Sequence, residues 1–154
     1  MNNFSDSVQA GFKDLWVGIG YQRGTLRTSM ETAIQEVCRT HDLAEAAIAG
    51  LATLDRKVEA PALVELCRDR QWVLCGFSAD QLRSISVPNP SAIVGQEVGT
   101  LSVCEAAAIL ASRQGGGAEN LGLHSLCVTK KIFHPVGQSG AVTVAIAQAK
   151  LENS

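Results

Sequence analysis

The sequence has no excess of positive charge: 13 Lys and Arg stand against 15 Asp and Glu, for a formal net charge of −2. A balance of this kind gives no overall attraction for nucleic acid or an anionic membrane, and neither is expected as a partner. An anionic ligand would have to be met by a local cluster of cations. No apolar run reaches membrane-spanning length. The start, Met1 to Lys13, lacks the basic-then-apolar layout of a signal peptide. The expectation is a cytoplasmic protein with residues 1–13 as a flexible N-terminus. No Cys-x-x-Cys spacing occurs; the five cysteines, Cys38, Cys67, Cys75, Cys104 and Cys127, are scattered through apolar segments, which points to buried free thiols. His41, His124 and His134 keep no ligand spacing with them or with each other, so no metal and no cofactor are expected. Internal repeats are absent, and low complexity is confined to the triple glycine at 115–117.

What is present is the mixture of a folded protein: 154 residues, 46% apolar and 18% charged. That length supports one core but not two, so a single domain over 1–154 is expected. Leu15 to Ile19 is a short apolar run ending in glycines, followed by Met30, Ala33, Ile34, Val37 and Cys38 at helical spacing. Thr28 and Glu31 have capping-box spacing at that helix start. Ile48 to Leu54 reads as a second strand, with Pro61 placed to open a second helix whose inner face is Leu63, Leu66 and Cys67. Trp72 to Phe77 is a third, continuously apolar strand, and Ser78 with Gln81 caps a short helix through Leu82.

Three βα units in line favour parallel strands with right-handed crossovers. Val87-Pro88-Asn89-Pro90 is a rigid loop, because proline removes an amide donor and restricts the residue before it. Ser102 and Glu105 then open a helix with Val103, Ala106, Ala107, Leu110 and Ala111 on one stripe. Leu126 to Phe133 and Ala141 to Ala149 read as a C-terminal antiparallel pair. The fold class is α/β: a mixed sheet of about five strands, βα units followed by the antiparallel pair, with helices packed on the sheet.

Four ordered segments resemble the family of CobE and the CbiG C-terminal domain. They are Gly18-Ile19-Gly20-Tyr21-Gln22-Arg23-Gly24-Thr25; Ala52-Thr53-Leu54-Asp55-Arg56-Lys57 with Glu59; Val87 to Ser91 continued by Val98-Gly99-Thr100 and Ser102 to Ala107; and Lys130 or Lys131 with Val142 to Ala147. Gln22 departs from the pattern, standing where a second basic residue is common, and the link from Ile132 to Ser139 is longer than usual. The sequence that precedes this region in CbiG is not found here, so the chain is expected to be CobE-like. The resemblance implies a role in cobalamin biosynthesis around corrin ring contraction, with a polycarboxylate tetrapyrrole as ligand. Other enzymes of the pathway are candidate partners. In CbiG-like proteins the reaction is hydrolytic lactone opening with loss of a two-carbon aldehyde.

In an open α/β sheet, ligands bind beyond the carboxyl ends of the parallel strands, where these motifs fall. Gly18, Gly20 and Gly24 are expected to let the backbone approach a ligand, with Thr25 in the same loop. The glycine spacing is not the dinucleotide fingerprint. Arg23, Arg56, Lys57, Lys130 and Lys131 are the candidate cations, and Arg27 adds to the local positive field. Lys130 and Lys131 should point to opposite faces. Asn89, Gly99, Thr100, Ser102 and Glu105 complete the ligand-binding set, the helix start at Ser102 serving as an anion cradle. Lactone hydrolysis needs a base, for which Asp55 and Glu59 are the candidates, although Asp55 equally suits a turn and Glu105 a helix cap. Cys104, in the first turn of the helix after Ser102, is a weaker candidate for a reactive thiol.

Overall fold

The computed structural model describes residues 13–85, 103–116, 126–137 and 140–149. Its elements run β1 (Leu15–Tyr21), α1 (Arg27–Thr40), β2 (Ile48–Leu54), α2 (Pro61–Arg70), β3 (Val73–Phe77), α3 (Ala79–Arg83), α4 (Val103–Gly116), β4 (Leu126–Phe133) and β5 (Val142–Gln148). Short 3₁₀ turns at Glu45–Ala47 and Asp55–Lys57 flank β2. The five strands form one sheet in the order β3-β2-β1-β5-β4. β1 pairs β2 and β2 pairs β3 in parallel, whereas β5 is antiparallel to both β1 and β4. The expected mixed α/β sheet is therefore the observed one.

Alternation along the central strands supplies two cores. Val17, Ile19, Leu51, Val144 and Ile146 pack on one face with Met30, Ile34 and Val37 of α1 and Leu63 and Leu66 of α2. Trp16, Ala52 and Phe77 pack on the other with Leu82 of α3 and Ala106, Ala107, Ile109 and Ala111 of α4. Each large aliphatic chain buried this way contributes about 1.5–3 kcal/mol relative to exposure, which is why the helical stripes, rather than intrinsic propensity, hold α1 and α2 in place.

α4 lies unusually close to the sheet because β1 presents Gly18 beneath it. A Cβ there would stand 1.8 Å from the Cys104 carbonyl oxygen and 2.9 Å from the Ala108 amide nitrogen. This corrects the expectation for the first glycines: the strand continues through Gly18 and Gly20 to Tyr21, and Gly18 serves helix–sheet contact.

Helix boundaries follow local chemistry with one exception. Pro61 opens α2, and Ser78 with Gln81 forms the expected reciprocal capping box. α1 instead begins at Arg27, with Leu26 as an N-cap that makes no side-chain cap bond. Thr28 and Glu31 thus do not cap it. The preceding turn feeds the chain into the helix two residues earlier, at N-cap Leu26 instead of Thr28, and the Glu31 carboxylate is drawn to Arg27 and Arg70. α1 and α2 end alike. Leu43 N–H reaches Cys38 O and Trp72 N–H reaches Cys67 O, both at 2.8 Å, around Asp42 and Gln71 at positive φ.

β3 starts at Val73, one residue later than expected, and as an edge strand it leaves Val73 55% exposed. A bulge between Val128 and Lys131 interrupts β4 at the opposite edge, a feature that discourages further strand pairing.

Candidate functional site

β1 and β2 are neighbours and parallel, so the loops that leave their carboxyl ends, 22–26 and 55–60, face each other. Between them lies a cleft of about 700 Å³, within the usual size range of small-molecule sites. Six of the expected residues line it: Arg23, Gly24, Thr25, Arg56, Lys57 and Glu59. Tyr21, Leu54 and Ala60 to Ala62 contribute the remaining wall, and buried Met30 the floor.

The first loop is a tight turn. Thr25 N–H donates to Gln22 O at 3.1 Å, and Gly24 has φ +87°, the region a type II turn reserves for glycine at its third position. Arg23 is thereby set at the turn's tip, exposed. The Thr25 hydroxyl is buried and donates to Gln22 O at 2.6 Å, so it braces the turn. Gln22, the departure from the family pattern, has a structural use: its Oε1 accepts from the Ala141 amide at 3.1 Å, which a lysine or arginine there could not do.

The second loop is fastened to the first by a reciprocal pair. Tyr21 O–H donates to Lys57 O at 2.9 Å, Lys57 Nζ donates to Tyr21 O at 2.6 Å, and the same ammonium lies 4.6 Å from the Tyr21 ring centroid. Burial pushes the Tyr21 phenol above its ordinary value. Thr53 Oγ1 adds a buried bond to Ile19 O at 2.7 Å just below. Neither Tyr21 nor Thr53 was singled out from sequence, although both stand inside the quoted motifs; the signal available was a hydroxyl at a strand end, which does not by itself reveal a cross-strand partner.

Charge in the cleft is narrower than the sequence implies. Arg27 is paired with Asp69 at 2.7 Å, with Glu31 and Glu65 near 4 Å, and its guanidinium is held above its ordinary pKa by the Asp69 hydrogen bond. It does not add to a free positive field. Lys57 is engaged with Tyr21. Arg23 and Arg56 remain: both are exposed and, among the described residues, neither side chain has an ion-pair or hydrogen-bond partner. Glu59 is likewise exposed and, among the described residues, unpaired on the same wall.

Other expected residues are not in this cleft. Asp55 is exposed at the start of the 3₁₀ turn and backs onto Gly76 of β3, where an added Cβ would stand 3.0 Å from Asp55 Cα. Lys131 lines a separate groove of about 320 Å³ with α1 residue Glu36 and, just beyond the helix end, His41. The Lys130 amide donates to Glu105 Oε2 at 2.9 Å in the first turn of α4, on the other side of the sheet. Neither lysine lines the cleft. Cys104 is completely buried over Gly18, out of reach of a ligand. Asn89, Gly99, Thr100 and Ser102 lie outside the described residues, as does the proline loop around them.

A profile described as cobalamin synthesis G C-terminus matches residues 15–147. A Priestia megaterium protein named cobalt-precorrin-5A hydrolase is 32% identical over 135 residues, 88% of this chain and 32% of that protein. The chain thus spans about a third of the length of this curated relative. Two solved structures share the fold. CobE, a protein from the cobalamin (vitamin B12) biosynthetic pathway, superposes with a TM-score of 0.67 at 23% identity, over 90% of this chain and 92% of that one. The cobalamin biosynthesis protein chiG from Agrobacterium tumefaciens superposes with a TM-score of 0.60 at 24% identity, over 88% and 98% respectively.

Proposed function

The chain belongs to the cobalamin synthesis G C-terminus family, and from that premise we propose that it binds an anionic tetrapyrrole intermediate around corrin ring contraction. The observation that carries this reading is the pairing of Arg23 and Arg56 across one cleft, each exposed and, among the described residues, each without an intramolecular partner. A guanidinium presents a planar fork of donors that matches a carboxylate in a bidentate pair. Two such forks on facing loops suit a flat ligand with several acetate and propionate arms. The protein works as a single domain in the cytoplasm, handing the intermediate to or from other enzymes of the pathway.

The test is titration with a precorrin or a corrinoid polycarboxylate, followed by absorbance and calorimetry. Binding is expected at micromolar concentration and weakens with salt. Arg23→Ala and Arg56→Ala each remove a charged hydrogen-bonding group worth about 1.5–3 kcal/mol, a loss of roughly tenfold or more in affinity. Absence of any response in the wild-type protein rejects the reading.

A second reading has its own support: the relative named cobalt-precorrin-5A hydrolase, together with the unpaired carboxylate of Glu59 on the cleft wall. In this reading Glu59 takes a proton from water as the oxygen attacks the lactone carbonyl, and the acyl C–O bond breaks to leave a carboxylate and an alkoxide; the alkoxide collapses to the two-carbon aldehyde as its C–C bond to the macrocycle breaks, the conjugated ring taking the electron pair and then the proton from Glu59. Developing charge on the carbonyl oxygen is met by Arg23 or Arg56. Asp55 is the poorer base, since it does not line the cleft. Incubation with the lactone intermediate separates the two: aldehyde release lost in Glu59→Gln and kept in Asp55→Asn supports hydrolysis, and an intact lactone with the wild-type protein rejects it.

A further inference from the structure

We infer that Tyr21 and Lys57 form a positioning lock that sets the distance between the Arg23 and Arg56 loops, with Lys57 acting on the ligand only through that lock; this rests on the binding role proposed for the two arginines. The geometry is reciprocal. Each residue gives its side-chain donor to the other's backbone carbonyl, at 2.9 Å for Tyr21 O–H to Lys57 O and 2.6 Å for Lys57 Nζ to Tyr21 O. The ammonium also sits over the tyrosine ring at 4.6 Å, a favourable cation–π distance. Two backbone segments 36 residues apart are thereby tied at the positions next to the ligand-facing turns.

The consequences are physical. Arg23 lies two residues beyond Tyr21, and Arg56 immediately before Lys57. Both arginines are long and exposed, so their spacing is set by the backbones that carry them. A ligand with carboxylates at fixed separation gains from arginines already held at that separation, because the ordering cost is met on folding instead of on binding. Lys57, a ligand candidate by sequence, gives one ammonium donor to a carbonyl and sets its charge over a ring face, and we assign it to the lock instead of to the ligand. The chain's one tyrosine is placed where its phenol closes the pair.

The test begins without ligand. The amides of Thr25, Val58 and Ala60 are hydrogen-bonded within the two turns and report local opening by hydrogen exchange. Tyr21→Phe and Lys57→Met are each expected to speed exchange at all three by about tenfold, while amides in α1 and β5 stay protected. If either variant loosens only its own loop, or neither does, the lock is overturned.

The second arm uses uroporphyrin III, a tetrapyrrole octacarboxylate, as the probe. Tyr21→Phe changes no charge, yet is expected to weaken binding about fivefold, and the double variant Tyr21→Phe/Lys57→Met no further, because both substitutions remove one device. Additive losses in the double variant would make Lys57 a separate contact and refute its purely positional role. A wild-type protein that does not bind the probe counts against the tetrapyrrole reading, while the exchange measurement still decides whether the lock exists.

Discussion

Replacing Gly18 by alanine tests the tightest contact in the fold. The new Cβ would lie 1.8 Å from Cys104 O, 2.7 Å from Cys104 C and 2.9 Å from Ala108 N. All three are backbone atoms of α4, so no side chain can rotate away. Reaching the 3.0 Å that real Cβ contacts respect requires the helix to retreat by about 1.2 Å. Over that distance the buried alanines 106, 107 and 111 lose contact with the sheet, since a radial gap of this size already forfeits much of the dispersion attraction. Overpacking commonly costs about 1–3 kcal/mol, and a rigid backbone neighbour places this site at about 3 kcal/mol. For a chain of this length that is roughly 6–12 °C in Tm.

Gly20→Ala is the matched comparison. Its added Cβ meets only Thr143 Oγ1, at 2.6 Å, a hydroxyl that can turn aside, and the expected loss is below about 1 kcal/mol. Thermal unfolding of the two variants followed by circular dichroism gives the answer. A Gly18→Ala midpoint within about 2 °C of wild type would refute the close approach of α4 to β1.

Three further outcomes follow from local features. Ser78→Ala removes the hydroxyl that accepts from the Gln81 amide at 3.1 Å and should cost about 1 kcal/mol in denaturant unfolding, with Ser78→Gly costing less. Arg70 bridges Glu31 and Glu45 at 3.3 and 3.2 Å while lying over the Trp72 ring; Arg70→Met is expected to lose about 0.5–1 kcal/mol at low salt, the difference narrowing in high salt. Burial raises the Cys38 thiol to about 11 and the Cys67 thiol to about 12 from an ordinary 9.0. Between these values the unfolded chain releases protons that the native state keeps, so the stability present below pH 9 falls as pH rises through 11 and 12. Cys38→Ala with Cys67→Ala should flatten that alkaline fall in denaturant midpoints, and an unchanged slope would contradict it.

Much of the fold was legible in the residues because it is written in short-range patterns. β2 and β4 have the bounds the apolar runs imply, and the Ser78 cap and the Pro61 helix start stand where local chemistry puts them. The antiparallel partner of β4 also followed from the two closing runs. The Thr28–Glu31 spacing misled, because a capping pattern states only that two side chains can reach. The charges of Arg27 and Arg70, brought by the first and second helices, claimed Glu31 instead.

The candidate site divides along the same line. Residue types and their order along the chain placed Arg23, Gly24, Arg56 and Glu59 in loops beyond parallel strands, since strand direction and loop position follow from periodicity and connection rules. Which of those cationic groups have an intramolecular partner was decided only by the tertiary structure. Pairing is a property of neighbours in space: Asp69 takes Arg27 and Tyr21 takes Lys57. Lys130 and Lys131 are carried two strands away from the cleft. Gly18, equally plausible from sequence as a ligand cradle, became the floor under a helix because α4 crosses β1 there, a contact no local pattern records.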